Sequence, residues 1–254
     1  MAKFFIHVGH GGKDSGAVGA TGLKEKDVTL AISKKIKPLL EKHGQVVKLS
    51  REVDMDLNSG IAANMANQWG ADYVISIHCN SATNPSATGT ETFACSTTSK
   101  GKPLAEKVQR NLVNEIKLAN RGVKYNNKFA ILARPTAPAI LVEVAFINNP
   151  REEALLKSDV FLNKIAVGIS KGILEHISIP FSMGGIPDNI ISTPTNNIEG
   201  GNVGMQNQPS VWAREAWDWC KREKIFDGTM PKDNITREQV AVIIFRLYQQ
   251  GRIK

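Results

Sequence analysis

The sequence predicts an α/β fold: a mostly parallel twisted sheet flanked by helices on both faces, followed by a small helical C-terminal module. Three observations predict it. Four short apolar runs, "KFFIHV", "QVVKLS", "DYVISIH" and "AILVEVAF", have the length and the Val, Ile, Leu and Phe content of buried strands. Helical periods separate these runs, and strands that alternate with helices pair in parallel beneath two helical layers. Residues 180–209 then lose all periodicity and are dominated by Gly, Pro, Asn, Ser and Thr, which marks a linker before the last segment.

The elements follow in order. After the first strand, "EKDVTLAISKKIKPLLEKHG" carries apolar residues at Val28, Ile32, Ile36 and Leu39 or Leu40, a helical spacing closed by Gly44. "LNSGIAANMANQWG", "KPLAEKVQRNLVNEIKLAN" and "VFLNKIAVGISKGILEHI" read as three further helices. Beyond the linker, "SVWAREAWDWCKRE" and "TREQVAVIIFRLYQQ" are two strong helical patterns. The predicted organisation is a domain over 1–178, a flexible linker over 179–209 and a module over 210–254, with no internal repeat.

The 254 residues suffice for one good-sized domain and a small one. No apolar run approaches the roughly 20 residues that cross a bilayer, so no membrane partner is expected. The N-terminus lacks the charged, apolar and small-residue zones of a secretory signal. The expectation is synthesis in the cytoplasm without a signal peptide. Cys79, Cys95 and Cys220 are too scattered for a disulfide framework and are expected to be reduced thiols. The net charge is +8, and residues 1–178 hold most of it, with 23 Lys and Arg against 16 Asp and Glu. A basic surface suggests an anionic partner, but the lysines are dotted along helices rather than massed in a block, so charge alone does not choose that partner.

Chemistry is concentrated where strands end. "HVGHGG" places His10 after the first strand, among glycines that let the backbone turn tightly. His78 ends "DYVISIH", Glu143 sits within "AILVEVAF", and Glu25 opens the helix after the glycine-rich loop. In a parallel sheet such positions converge outside the carboxyl ends of the strands. Two imidazoles and one carboxylate are a zinc-ligand set with a coordination position left for water. A second carboxylate off the metal serves as general base. Each histidine alone reads more readily as a core or turn residue than as a ligand, and Glu25 alone is a good first-turn residue. Glu143 is harder to explain by packing, because an isolated carboxylate in an apolar strand costs several kcal/mol of desolvation. His7 lies in the strand and is read as a packing or ligand-orienting residue. The glycines match neither GxxxxGK[ST] nor GxGxxG.

In one order along residues 3–177, six stretches resemble the zinc-dependent N-acetylmuramoyl-L-alanine amidases, the family called amidase type 3. They are "HVGHGGKDSGAVGATGLKEKDVTLAIS", "VVKLSREVD", "GADYVISIHCNSA", "GTETF", "NRGVK" and "PAILVEVAFINNP". The resemblance implies one Zn²⁺ held by His10, Glu25 and His78, with Glu143 as the catalytic carboxylate. It implies hydrolysis of the amide between the lactyl group of N-acetylmuramic acid and the L-alanine of the stem peptide. It also suggests that Asn80 orients a ligand or the substrate, and that Arg121 contacts the peptide's carboxylates or is simply a solvated arginine. The chain departs from the family at Val8, where a Pro is usual, at His7, where an Asp is usual, and near Ala62, where an Arg is usual.

The tail "PSVWAREAWDWCKREKIFDGTMPKDNITREQVAVIIFRLYQ" resembles a single S-layer homology module, of a kind that attaches proteins to cell-wall polymers. Thr236 is expected to cap its second predicted helix, with Glu238 in the first turn. Some 45 residues bury little surface, which predicts self-association, such as a homodimer, through this module. The pairing of a hydrolase with a wall binder resembles a phage endolysin. The expected partners are peptidoglycan and an anionic cell-wall polymer, not nucleic acid, with release to the wall through a holin. Two alternatives remain open on sequence alone: a zinc peptidase cutting peptidoglycan cross-links, and a non-catalytic wall-binding protein.

Overall fold

The computed structural model describes residues 1–182. These form one α/β unit around a six-stranded sheet, and Cys220, Thr236, Glu238 and the whole of the expected module lie outside the described residues. The strands are β1 (Lys3–Val8), β2 (Val46–Leu49), β3 (Tyr73–Asn80), β4 (Thr90–Ala94), β5 (Asn120–Tyr125) and β6 (Ala139–Phe146). Their order is β2-β1-β3-β6-β4-β5. Every neighbouring pair is parallel except β4 and β6. The central strands β1, β3 and β6 are buried along almost their whole length, which is why their sequences run apolar without alternation.

The sequence reading expects four strands; the sheet has six. β4 (TETFA) carries three polar residues in five, and β5 (NRGVKY) is a half-exposed edge strand with a glycine inside it. Neither carries enough apolar surface to announce itself, and both are held in the sheet by pairing.

The helices are α1 (Glu25–Lys42), α2 (Ser59–Trp69), α3 (Lys102–Ile116), α4 (Ala130–Ala133), α5 (Pro150–Leu156) and α6 (Asp159–His176). One face of the sheet packs Phe4, Ile6, Ile75, Ile77, Val142 and Val144 against α1, α3 and α6. In α1 the buried positions are Val28, Ile32, Ile36 and Leu40. The other face is covered by a smaller layer, in which Ala62, Ala63 and Ala66 of α2 and Ile131 and Leu132 of α4 pack on Phe5, Val74, Ala139 and Leu141. Asn58 caps α2 by accepting a hydrogen bond from the Ile61 amide, and Gly70 ends it in the left-handed conformation. Ile179 and Phe181 also pack against the larger core, and the Phe181 ring stacks on His43 with centroids 5.1 Å apart.

Candidate metal centre and catalytic cleft

The register of the strands sets up the site. On the face covered by α2 and α4, side chains of neighbouring strands line up in rows. One row holds His7, Ser76, Leu141 and Phe93. The next row toward the strand ends starts at Gly9, whose amide donates to the Ile77 carbonyl, and runs through His78, Glu143 and Glu91. The small layer covers the apolar positions before this row, so the row opens to solvent at the carboxyl ends of β1, β3 and β6.

Three of the expected residues meet here. His10, Glu25 and His78 each present one ligand atom, and the three atoms lie within 4.8 Å of one another. His78 Nδ1 is 2.9 Å and His10 Nε2 is 3.3 Å from Glu25 Oε1. Tetrahedral zinc with bonds of about 2.0–2.1 Å holds its ligand atoms roughly 3.3 Å apart, so this donor set fits one such ion and leaves a fourth position.

Each donor is fixed by its own partners. Glu25 is buried at the first position of α1, where the helix dipole favours its charge. Its carboxylate accepts the Ala17 amide at 2.8 Å and the Cys79 amide at 2.9 Å. Burial alone would raise its pKa, but hydrogen bonds and charge from His10 and His78 outweigh burial and hold it far below the ordinary carboxylate range. His10 takes the left-handed conformation, φ 59°, rare outside glycine. Its Nδ1 pairs with Asp14 Oδ2 at 2.8 Å, which turns Nε2 toward Glu25. Burial would lower the His10 pKa; Glu25 and then Asp14 outweigh it and push it up to about 9.

Arg51 clamps the loop from below. It is buried, and donates from Nε to the His10 carbonyl at 2.7 Å and from Nη2 to the Lys26 carbonyl at 2.7 Å and the Gly9 carbonyl at 3.2 Å. Asp54 and Asp56 accept the Gly12 and Lys13 amides at 2.7 and 2.6 Å. Two adjacent buried carboxylates of α5 act the same way on other loops. Glu152 accepts the Gly89 and Phe146 amides, and Glu153 accepts the Thr21 amide and hydroxyl. Asp14, Glu91, Glu152 and Glu153 receive no role from the sequence reading, and Arg51 is quoted there only within a motif. The one signal available for Asp14 is an acid four residues after a histidine in a glycine-rich loop.

Glu143 stands beside His78 in register, and its Oε2 is buried with no hydrogen-bond partner. Burial first, then the charges of Glu25 and Glu91, push its pKa up to about 8, with His10 opposing. His7 is buried; its Nδ1 lies 2.7 Å from Ser76 Oγ and its ring centroid 5.7 Å from that of His78. Burial and the neighbouring cationic groups lower its pKa well below the ordinary value, so it packs as a neutral ring. Cys79 is a buried free thiol on the opposite face, and Cys95 is a free, half-buried one. Asn80 and Arg121 do not point at the triad: both donate to Glu91, at 2.7 and 2.8 Å.

The sequence profile described as N-acetylmuramoyl-L-alanine amidase matches residues 5–175. The chain is 34% identical over 233 residues to an endolysin of Bacillus phage SPP1, a match spanning 88% of this chain and 84% of that protein. It is 31% identical over 212 residues to the N-acetylmuramoyl-L-alanine amidase AmiA of Escherichia coli, spanning 66% of this chain and 73% of that one. Among solved structures, the catalytic domain of CwlV, an N-acetylmuramoyl-L-alanine amidase from Bacillus (Paenibacillus) polymyxa var. colistinus, superposes with a TM-score of 0.67 at 33% identity. That match covers 70% of this chain and 99% of CwlV's domain. An N-acetylmuramoyl-L-alanine amidase from Clostridium difficile 630 gives a TM-score of 0.67 at 35% identity, over 70% of this chain and 97% of that one.

Proposed function

This chain belongs to the N-acetylmuramoyl-L-alanine amidase family and hydrolyses peptidoglycan between N-acetylmuramic acid and L-alanine, and from that premise we propose that it does so with one zinc ion held by His10, Glu25 and His78 and with Glu143 as general base. The observation that carries the reading is the convergence of three ligand atoms within 4.8 Å beside a carboxylate whose Oε2 has no partner. When bound, zinc supplies Lewis-acid chemistry, bringing the pKa of water to about 7 and polarising a carbonyl. The residues of the chain do the rest. Asp14 and the amides of Ala17 and Cys79 keep the ligand atoms aimed at one centre. Glu143 takes a proton from the attacking water. It returns that proton to the nitrogen of L-alanine as the amide breaks, leaving a lactyl carboxylate and a free amine. A pKa near neutrality suits a group that must do both. Asn80 and Arg121 line the same cleft beyond Glu143.

The likeness to an endolysin supports a lytic role, with synthesis inside the host and release to the wall through a holin. In this reading residues 210–254, outside the described part, bind an anionic wall polymer and raise the effective concentration of the amidase at an insoluble substrate.

Digestion of purified walls followed by mass spectrometry tests the proposal. The expected products are lactyl-N-acetylmuramic acid and an intact stem peptide with a new L-alanine amino terminus, and none after chelation. Glu143→Ala is expected to bind zinc as the wild type does and to lose hydrolysis by about 10²–10⁴-fold, the range of general acid–base catalysis. Lysis retained by that variant removes Glu143 from the mechanism.

A further inference from the structure

Glu152 and Glu153 have no part in the mechanism above, yet each is only 1% exposed and each accepts several hydrogen bonds from distant segments. They are consecutive residues of α5, so their side chains leave the helix about 100° apart and reach different loops. Glu153 holds the tip of a loop whose base carries an expected zinc ligand. Residues 17–25 fold back on themselves. The Glu25 amide donates to the Ala17 carbonyl at 2.9 Å, Val18 bridges Lys24, and the Gly19 amide donates to the Leu23 carbonyl at 2.8 Å. At the base of this hairpin the Ala17 amide also donates to the Glu25 carboxylate at 2.8 Å. At its tip Glu153 accepts the Thr21 amide at 3.1 Å, the Thr21 hydroxyl at 2.6 Å and the Leu23 amide at 3.4 Å. The carboxylate lies so close to the tip that a Cβ on Gly19 would stand 2.3 Å from Oε1. A displacement of the tip therefore passes down three rungs of backbone pairing to the Ala17 amide and the Glu25 carboxylate.

Glu152 holds the strand of Glu143 instead. Glu91 of β4 lies opposite Glu143 of β6, and counting on in the same antiparallel register puts Thr88 opposite Phe146. The strand pairing stops at Glu91 and Glu143, and the Glu152 carboxylate bridges the two chains where the ladder would continue. Its Oε2 accepts the Phe146 amide at 2.6 Å, and its Oε1 accepts the Gly89 amide at 2.8 Å and the Thr88 hydroxyl. Just inside this junction the Thr90 hydroxyl donates to the Glu143 carbonyl at 2.9 Å. The backbone of Glu143 is thus fixed from β4 on one side and from the end of its own strand on the other, and Glu152 joins the two.

We propose that these two neighbouring carboxylates are positioning residues with separate duties: Glu153 aims the zinc ligand Glu25 through the 17–25 hairpin, and Glu152 aims the general base Glu143 through the β4–β6 junction. The inference rests on the amidase reading above and deepens it, because one turn of α5 becomes the common anchor of the metal-holding and the proton-moving halves of the site. Two acids that merely staple loops would cost stability alike and would not separate zinc binding from turnover.

The test uses the full-length protein and reads two quantities separately. One is zinc affinity, by competition with a chromophoric chelator. The other is kcat at saturating zinc, for release of the L-alanine amino terminus from a synthetic muramoyl tripeptide. In Glu153→Gln zinc affinity is expected to fall about tenfold, the lower end of the range for losing an outer partner of a metal ligand, with kcat within about threefold of wild type. In Glu152→Gln both replaced oxygens face N–H donors, so the new amide must turn its own NH2 toward one of them. Its kcat is expected to fall by roughly tenfold or more through misplacement of Glu143, with zinc affinity within about threefold of wild type. Should a buried glutamine prevent folding, Thr21→Val and Thr88→Val each remove one hydroxyl donor, from Glu153 and Glu152 respectively. They are expected to repeat the same split in weaker form, and Thr21→Ser and Thr88→Ser to restore wild-type values. Parallel loss of zinc affinity and kcat in the Glu153 and Glu152 variants overturns the proposal. So does wild-type zinc affinity in Glu153→Gln, or wild-type kcat in Glu152→Gln. A wild type that binds no zinc, or releases no L-alanine amino terminus, overturns the amidase reading itself, and that failure shows before any variant is made.

Discussion

Removing the Arg51 guanidinium is expected to weaken zinc binding without touching a ligand. Arg51→Met preserves the length and apolar stem of the side chain and deletes the donors. Two of its bonds are short, 2.7 Å to the His10 and Lys26 carbonyls, and two are longer, 3.2 Å to the Gly9 and Val53 carbonyls. Hydrogen bonds from a charged donor contribute about 1.5–3 kcal/mol each, so the two short ones account for about 3–6 kcal/mol. The substitution also relieves the desolvation of a buried cation, which offsets part of that sum; the net loss expected is about 2–5 kcal/mol, set by two buried carbonyls left unsatisfied at about 1–3 kcal/mol each. The loss is not spread evenly over the fold. The His10 carbonyl is the anchored end of a residue at φ 59°, and a non-glycine residue there is strained by about 1–2 kcal/mol. Without Arg51 that residue relaxes and swings Nε2 off the common centre. Loss of an outer partner of a metal ligand typically lowers affinity 10–100-fold. Urea unfolding of the metal-free protein measures the first quantity, and competition with a chromophoric chelator measures the second. If stability falls as calculated while zinc affinity stays within threefold of wild type, the clamp holds the loop but does not aim His10. If stability falls by less than about 1 kcal/mol, the carbonyls find other donors and the clamp itself is refuted.

Two further outcomes follow from the same geometry. Gly16 has φ +63°, and a Cβ there would stand 2.6 Å from both Glu25 Oε2 and His10 Cδ2. Gly16→Ala is therefore expected to lower zinc affinity at least tenfold, comparable to losing an outer partner of a ligand, and wild-type affinity in that variant sinks the argument. For pH, the folded-state pKa of His10 in the metal-free protein is raised from 6.5 to about 9. Its pairing with Glu25 and Asp14 thus contributes fully to stability below pH 6.5 and is lost as pH rises through 9. A neutral ring is required to ligate, so zinc binding at pH 7.5 is expected to displace about one proton, with affinity rising until pH 9. Calorimetry in buffers of different ionisation enthalpy counts that proton; a count of zero places the proton elsewhere.

The parts of the fold that announce themselves in sequence are those whose residues serve one environment. β1, β3 and β6 are buried on both faces, so their apolar runs are unbroken, and α1 shows its inner stripe at Val28, Ile32, Ile36 and Leu40. β4 is buried but polar at three of its five positions, and β5 is a half-exposed edge around a glycine, so neither shows an apolar run. The same rule divides the site. His10, Glu25, His78 and Glu143 stand out because each is a chemically unusual residue at a strand end or helix start, and the spacing of the motifs supplies a familiar order. The clamps do not stand out, because their meaning lies in a distant partner. Glu153 and Thr21 are 132 positions apart, Glu152 and Thr88 are 64, and Arg51 and His10 are 41. Nothing local in "PREEALL" distinguishes two buried carboxylates from two solvated first-turn acids. Arg121 reads as either a ligand or a surface residue until Glu91 is seen to hold it.

The carboxylates of the cleft also differ in a way that bears on which of them reacts. Glu25 is satisfied by two amides and two imidazoles, and Glu91 by an amide group and a guanidinium. Such groups are structural in effect, because protonating or moving them breaks several contacts at once. Glu143 alone among these three has a buried oxygen with no partner. Leaving a polar atom in that condition costs about 1–3 kcal/mol, more if it is charged, and a purely structural residue at this place in "AILVEVAF" would avoid that cost by being a leucine. The cost is tolerable at a position where the free oxygen has to accept and release a proton during turnover, since a saturated carboxylate makes a poor base. Glu91 sharpens the contrast, since its charge across the strand pair helps push Glu143 toward neutrality while its own two oxygens stay occupied.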